Sequence, residues 1–303
     1  VRTWTLANMP DQTGRTAVIT GATSGLGLAV AHALSARGAR VIMAVRNIAK
    51  AEALRPQFPG ADLAIHKLDT SDLDSVSSFA ADLESRGDQV DVLINNAGIG
   101  NQPHAVSAQG HELHLATNHL GHFLLTALLL PNLANGKDPR VVTVASFMYK
   151  LGHFDFDNLH LTRGYNSGRA YSNSKLANVL FATELDRRLR ATNSPVQSML
   201  THPGIARTPM ISSAPGPILS RLTGSIAGLL GRPATQAALP INYAATAPEA
   251  PAGQMLSPGK TLRKTQVTQE PLRAKGFTPE AATTLWTHSE NLTNAPYPTP
   301  QTP

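Results

Sequence analysis

The chain has 303 residues, 42% hydrophobic and 15% charged, which suffices for a sizeable core and excludes a disordered composition. It holds no cysteine, so disulfide frameworks and thiolate metal sites are excluded and a reducing, cytoplasmic setting is expected. The formal charge of +6 is spread out, and its densest basic run, Arg187-Arg188-Leu189-Arg190, ends a predicted helix, where the dipole favours cations. No nucleic-acid partner is expected from it.

Residues 1–11 are mixed and polar and carry no secretory pattern. A short apolar run, residues 17–19, breaks into Thr20-Gly21-Ala22-Thr23-Ser24-Gly25-Leu26-Gly27, and residues 28–34 then read as a helix. Strand, tight loop and helix N-terminus in that order aim backbone N–H groups and the positive dipole end at an anion, typically a pyrophosphate. Gly21 and Gly25 permit positive φ and close backbone approach, and Gly27 lets the helix pack on its strand. Many glycine-rich turns are ordinary loops. This one opens a βαβ unit, which points to a dinucleotide.

A second strand is predicted over residues 40–45, with Arg46-Asn47 at its end and a helix over 48–54. An acidic residue here would accept hydrogen bonds from a ribose and repel a 2′-phosphate. Arg46 stands there instead, beside Asn47 and with Ser24 in the glycine loop, so the expected cofactor is NADP(H). A third strand, 63–68, ends at Asp69. Ser71 is expected to cap a helix reaching 86, with Asp72 and Asp74 in its first turn. A fourth strand, 90–94, runs into Asn95-Asn96-Ala97-Gly98.

A long helix is predicted over 110–130. Its most apolar part, 120–130, ends at Pro131 and falls short of the about 20 residues of a bilayer span, so a buried helix and no transmembrane segment are expected. The fifth strand, 140–145, is apolar and β-branched, as central parallel strands are, and Ser146 follows it. A helix over 170–190 comes next, then a sixth strand over 195–200 and His202-Pro203-Gly204. Between 209 and 240 prolines and glycines interrupt apolar patches, which suggests a substrate lid. A helix over 236–247 and a strand over 253–256 complete the pattern. A proline-rich tail, 291–303, should be poorly ordered from Asn294 on. The alternation predicts an α/β fold: one domain, residues 1–290, with a doubly wound, mostly parallel Rossmann-type sheet. Ligands should bind beyond the carboxyl ends of its strands.

Tyr171 and Lys175, four apart, share one helix face. An ammonium near a phenol favours the phenolate and would lower the Tyr171 pKa from about 10 toward the range of an acid/base catalyst. Alone, such a pair is usually a surface feature; here the glycine loop, Asn96-Ala97-Gly98 and Ser146 accompany it in sheet order. Ser172-Asn173-Ser174-Lys175 also matches the S-x-x-K string of serine hydrolases, but their partner motifs and the G-x-S-x-G elbow are missing. His111, His114, His119 and His122 lie on or near one helix without H-E-x-x-H spacing, and no metal is expected.

The set Thr20-Gly-x-x-x-Gly25-x-Gly27, Asp69, Asn95-Asn96-Ala97-Gly98, Asn118, Ser146, Tyr171-x-x-x-Lys175 and Pro203-Gly204 with Thr208 resembles the short-chain dehydrogenase/reductases. The resemblance covers residues 14–256. Asn118-His119-Leu120-Gly121-His122-Phe123 and His202-Pro203-Gly204 look most like the retinol-dehydrogenase-like branch. Phe147 departs from it, standing where that branch usually has a second serine. The resemblance implies Tyr171 as proton donor and acceptor, Ser146 bonded to the substrate oxygen, Lys175 on the nicotinamide ribose and Asn118 supporting a water that links Lys175 to solvent. The cofactor set it implies is Gly21, Thr23, Ser24, Gly25, Leu26, Gly27, Arg46, Asn47, Leu68, Asp69, Asn96, Ala97, Gly98, Tyr171, Lys175, Pro203, Gly204, Ile205 and Thr208. By the same resemblance a homo-oligomer, dimer or tetramer, is expected. The apolar residues of 147–161 and 210–240 predict a lipophilic ketone, aldehyde or alcohol as substrate. The competing reading is an NADPH-binding sensor without turnover.

Overall fold

In the computed structural model, which describes residues 4–204, 231–259, 266–295 and Tyr297, strands and helices alternate. β1 (Thr16–Thr20) leads to α1 (Gly25–Ser35), β2 (Arg40–Val45) to α2 (Ile48–Glu52), and β3 (Leu63–Lys67) to α3 (Leu73–Ser85). β4 (Val92–Asn95) precedes α4 (Leu113–Leu133), and β5 (Arg140–Val144) precedes α5 (Ser167–Ala191). Then come β6 (Gln197–Thr201), α6 (Ala234–Ala237), α7 (Leu239–Thr246), β7 (Met255–Ser257), β8 (Thr268–Glu270) and α8 (Pro279–Thr293).

The strands form one sheet in the order β3-β2-β1-β4-β5-β6-β7-β8, parallel except for β7 with β8. Side chains alternate between two buried faces. Val18, Ile42, Leu93 and Val141 meet α3, α4 and α5 on one side. Ile19, Val41, Met43, Ile94 and Val142 meet α1 and α7 on the other. Burial on both faces explains why these strands read as continuous apolar runs. The strand order reverses between β1 and β4, and this opens a crevice at their carboxyl ends.

Several expectations need correcting. Asp72, not Ser71, caps α3: it accepts from Asp74 N at 3.1 Å and Gln109 Nε2 at 2.9 Å, while Ser71 Oγ donates to Asp69 at 2.6 Å. The apolar helix does not stop at Pro131. Proline removes only its own N–H and holds a helical φ, so α4 continues, with Ala134 N bonding Leu130 O at 3.0 Å. At 21 residues α4 has the length and hydropathy of a membrane span, but 89% of its most apolar 18-residue window is buried inside the fold, as befits a core helix. β8 and α8 were not anticipated. Thr-Gln-Glu has no apolar alternation, whereas α8 does carry a start signal: Thr278 accepts from Ala281 N at 3.1 Å and Pro279 follows it.

The tail is anchored where aromatic packing reaches it. Tyr297 OH donates to Phe123 O at 2.8 Å, and its ring lies 4.5 Å from Trp286 and 4.8 Å from Phe123. Pro296, Pro298, Pro300 and Pro303 lie outside the described residues, as do Ile205, Thr208 and residues 209–230 of the expected lid.

Candidate active site

The carboxyl ends of the central strands open on one cleft of about 560 Å³. Of the predicted residues, Gly21, Thr23, Ser24, Gly25, Leu26, Arg46, Asn47, Leu68, Asp69, Asn96, Ala97, Gly98, Ser146, Tyr171, Lys175, Pro203 and Gly204 line it. Gly27 and Asn118 stand behind the lining. Lys50, Gln102 and Thr117 line it too and were not anticipated.

The glycines are required by their surroundings. Gly21 has φ +68°, and a Cβ there would lie 2.9 Å from Ala97 Cα. At Gly27 a Cβ would lie 2.6 Å from Gly21 O, so the helix could not seat on its loop. Ser24 precedes α1 in extended conformation and its hydroxyl makes no cap bond. Thr20 ties this turn to the next: its hydroxyl accepts Asn96 N at 2.9 Å and Ala97 N at 2.8 Å. This is a rigid concave floor facing the start of a helix, the geometry that takes a pyrophosphate.

At one end of the cleft Arg46, Asn47 and Lys50 are exposed around its edge. Asn47 caps α2 by accepting Lys50 N at 2.9 Å, and Lys67 Nζ holds the Arg46 carbonyl at 2.7 Å. Asp69, one strand further on, turns its carboxylate to Ser71 N at 3.0 Å and Ser71 Oγ.

At the other end, Ser146 closes β5 and caps a short 3-10 turn, accepting Met148 N at 3.3 Å. Its side chain also acts on the Tyr171 phenol, favouring the ionised form. Lys175, one helical turn on, donates to Val144 O at 3.3 Å, with Nζ 5.9 Å from the Tyr171 ring centre. Gly98 makes room for it: a Cβ there would lie 3.1 Å from Asn118 Oδ1 and 3.5 Å from Lys175 Nζ. Burial pulls the Lys175 pKa down to about 8. The expected depression of Tyr171 is not what the geometry produces. Burial pushes the phenol up, and the group opposing it is Ser146 rather than Lys175.

Asn118 is buried with both ends of its amide committed. Oδ1 accepts Ile99 N at 2.8 Å, and Nδ2 donates to Ile99 O at 3.0 Å and Ser174 Oγ at 2.8 Å. Its main-chain oxygen, in a π turn spanning Ala116–Leu120, lies outside this set of side-chain bonds. The four histidines of this region are engaged within the fold. His114 Nδ1 bonds Glu112 Oε1 at 2.8 Å, His119 Nε2 pairs with Ser289 Oγ at 2.8 Å, and His111 stacks on His160. Burial drives His119 down to about 3 and His122 down to about 4, so both rings are neutral at pH 7. Among the described residues no group of three His, Cys, Asp or Glu could hold a metal ion.

A glycine-floored crevice at the reversal of strand order, with half-buried Ser146 and Tyr171 beside a buried Lys175 at one end, defines an oxidoreductase that uses a nicotinamide cofactor. The chain belongs to the short-chain dehydrogenase family, whose model matches residues 15–216. It is 41% identical over 244 residues to human (Homo sapiens) retinol dehydrogenase 13, covering 78% of this chain and 73% of that one. To human retinol dehydrogenase 14 it is 44% identical over 212 residues, covering 64% and 62%. To polyprenol dehydrogenase of Mus musculus it is 38% identical over 250 residues, covering 80% and 74%. The matches thus span between 62% and 74% of these relatives' own lengths. Among solved structures, an uncharacterized protein from Mycobacterium paratuberculosis superposes with TM-score 0.80 at 37% identity, covering 98% of this chain and all of that one. A 3-ketoacyl-(acyl-carrier-protein) reductase from Brucella melitensis, solved with NADH, shares the fold at TM-score 0.64 and 23% identity, covering 82% and 97%.

Proposed function

We propose that this protein transfers a hydride between NADP(H) and a lipophilic ketone or aldehyde, or the matching alcohol. The observation that carries the cofactor choice is the edge where β2 ends: Arg46, Asn47, Lys50 and Ser24 line the cleft there and no carboxylate follows the strand. A guanidinium forks onto phosphate oxygens, and Lys50 adds a second positive charge from the next helix. Bound in this cleft, the nicotinamide supplies or accepts the hydride.

The chain's own residues handle the proton. Ser146 and Tyr171, which line the same end of the cleft, converge on the place of a substrate oxygen, where negative charge builds during reduction. Tyr171 donates its proton to that oxygen, or accepts one in the reverse direction. Lys175 has one N–H on Val144 O, which leaves two for ribose hydroxyls and for a water at the Asn118 main-chain oxygen. Its pKa of about 8 lets it pass a proton on near neutrality.

The substrate class draws support from two directions. Phe147, half-exposed, and Leu151, 70% exposed, stand on the turn that Ser146 caps and offer apolar surface there. The curated relatives carry the names retinol dehydrogenase and polyprenol dehydrogenase, both apolar alcohols. The test is turnover of the purified chain with NADPH or NADH on a panel from long-chain aldehydes to keto acids. We expect NADPH to be preferred by about tenfold or more in kcat/KM, the value of one lost charge-assisted contact, and apolar carbonyls to lead the panel. Better turnover with NADH, or of small charged keto acids, overturns it. Tight NADPH binding with no turnover anywhere would instead mark a sensor, a reading that an intact Ser146–Tyr171–Lys175 set argues against.

A further inference from the structure

One buried side chain links the two turns that flank Lys175. His122, on α4, has Nε2 2.9 Å from Thr20 Oγ1 and Nδ1 3.1 Å from the Asn118 main-chain oxygen. The proton positions follow from valence. The Thr20 hydroxyl accepts the N–H groups of Asn96 and Ala97, which fills both its lone pairs. Its one proton must be donated, and His122 Nε2 is nearer than the other acceptor, Ile94 O at 3.3 Å. Nε2 is therefore bare, and Nδ1 carries the hydrogen that goes to Asn118 O. A second ring proton would face a hydroxyl with no lone pair free. Burial acts in the same direction, with the Asn118 bond opposing it and Lys175 the cation that faces the ring.

We infer that His122 is a positioning residue of fixed tautomer, with one arm on each side of the site. Through Thr20 it holds the Asn96-Ala97 turn, which lines the cleft. Through the Asn118 carbonyl it holds the π turn whose amide stands, with Lys175 Nζ, against Gly98. Neither nitrogen is free to move a proton to substrate, so His122 acts only through its two partners.

The kinetic part of the test rests on the nicotinamide reading above; the tautomer part does not. His122→Asn keeps an amide N–H near the Nδ1 position and removes the Thr20 arm. His122→Gln keeps an amide oxygen near the Nε2 position and removes the Asn118 arm. Losing one hydrogen bond is worth about tenfold. We expect the Asn variant to weaken NADPH binding, read by nicotinamide fluorescence, about tenfold while kcat stays within about twofold. The Gln variant should do the reverse, losing about tenfold or more in kcat with NADPH binding kept. Thr20→Val should reproduce the binding loss of the Asn variant. Imidazole nitrogen shifts of the cofactor-free wild type should show a neutral, Nδ1-protonated His122 throughout pH 5–8. An Nε2-protonated or charged ring overturns the inference. So does either variant matching wild type in both readouts, or both variants losing binding and kcat to the same degree, which is the mark of a merely structural role. Should the wild type turn over no carbonyl, the proposed activity fails, while NADPH binding and the nitrogen shifts still decide this point.

Discussion

Lys175 is where the requirements of the fold and of the chemistry are furthest apart. Its side chain is only 3% exposed and burial has moved its pKa from 10.5 to about 8. That displacement corresponds to about 3 kcal/mol of disfavoured charge in the folded state. Below pH 8 folded and unfolded chains both hold the proton, so the penalty stands in full. Between pH 8 and 10.5 the unfolded chain binds a proton that the folded chain has released, so stability rises with pH across that window. Lys175→Met keeps the length of the side chain and removes the charge. It also removes the bond to Val144 O, but Asn178 Nδ2 reaches the same oxygen at 3.3 Å, so the carbonyl keeps a partner. Subtracting about 1 kcal/mol for the lost bond leaves a net gain of about 2 kcal/mol at pH 7, or about 3 °C in Tm for a chain of this length. Urea denaturation of both proteins at pH 7 and pH 10 is the assay. The variant should be more stable at pH 7, inactive, and nearly level with wild type at pH 10. If it is no more stable at pH 7, or if the difference between the two does not shrink with pH, the burial argument is wrong.

Tyr171→Phe should lose about 10²-fold or more in kcat while NADPH still binds; a variant above a tenth of the wild-type rate refutes the acid/base assignment. Arg46→Ala should raise the KM for NADPH about tenfold or more and leave the KM for NADH within about twofold, and equal effects on both would count against a 2′-phosphate contact. Trp286 is 1% exposed, packs on Phe123, Phe181 and Tyr297, and donates to Glu290 Oε1 at 2.7 Å. Trp286→Ala should cost about 3–5 kcal/mol in urea denaturation, and a loss below about 1 kcal/mol would show α8 to be a dispensable appendage.

Local pattern carried most of the fold and the cleft. Six strands announced themselves because a sheet buried on both faces needs unbroken apolar runs, and Gly21, Gly25 and Gly27 because close approach leaves them no alternative. What was not legible depends on contacts distant in the chain. β8 pairs with β7 through backbone bonds and shows only Thr-Gln-Glu, so no periodicity betrays it. Tyr297 looked like tail until Trp286 and Phe123 gave it a place. His122 reads as one of four histidines on or near one helix because Thr20, its partner, lies 102 residues earlier. The direction of the Tyr171 shift turned on burial, a quantity that helical spacing does not contain. The Thr278–Pro279 start of α8, by contrast, was readable and shows that capping signals deserve weight even without an apolar run before them.

The two ends of the sheet treat buried charge in opposite ways. At the amino end Arg140 sends Nη1 to Ala244 O and Ala247 O, each at 2.8 Å, and Nη2 to Asp138 at 2.8 Å. Arg15 beside it reaches Asp138 O at 2.7 Å and Ala245 O at 3.3 Å. These guanidiniums close the last turn of α7, whose carbonyls would otherwise be orphaned, and their charge is answered by Asp138. At the carboxyl end burial alone moves Lys175, and burial raises Tyr171 with only Ser146 opposing it. Polar groups are buried at both ends, so burial does not tell a structural site from a functional one. Completeness of partnering does. Arg15, with Nε on Lys137 O, Nη1 on Gln12 Oε1 and Ala245 O and Nη2 on Asp138 O, has an acceptor for every nitrogen and serves the fold, whereas Lys175, with one carbonyl for three N–H groups, keeps donors for a ligand to complete. The same asymmetry explains why removing Lys175 is expected to stabilise the protein that it equips to react.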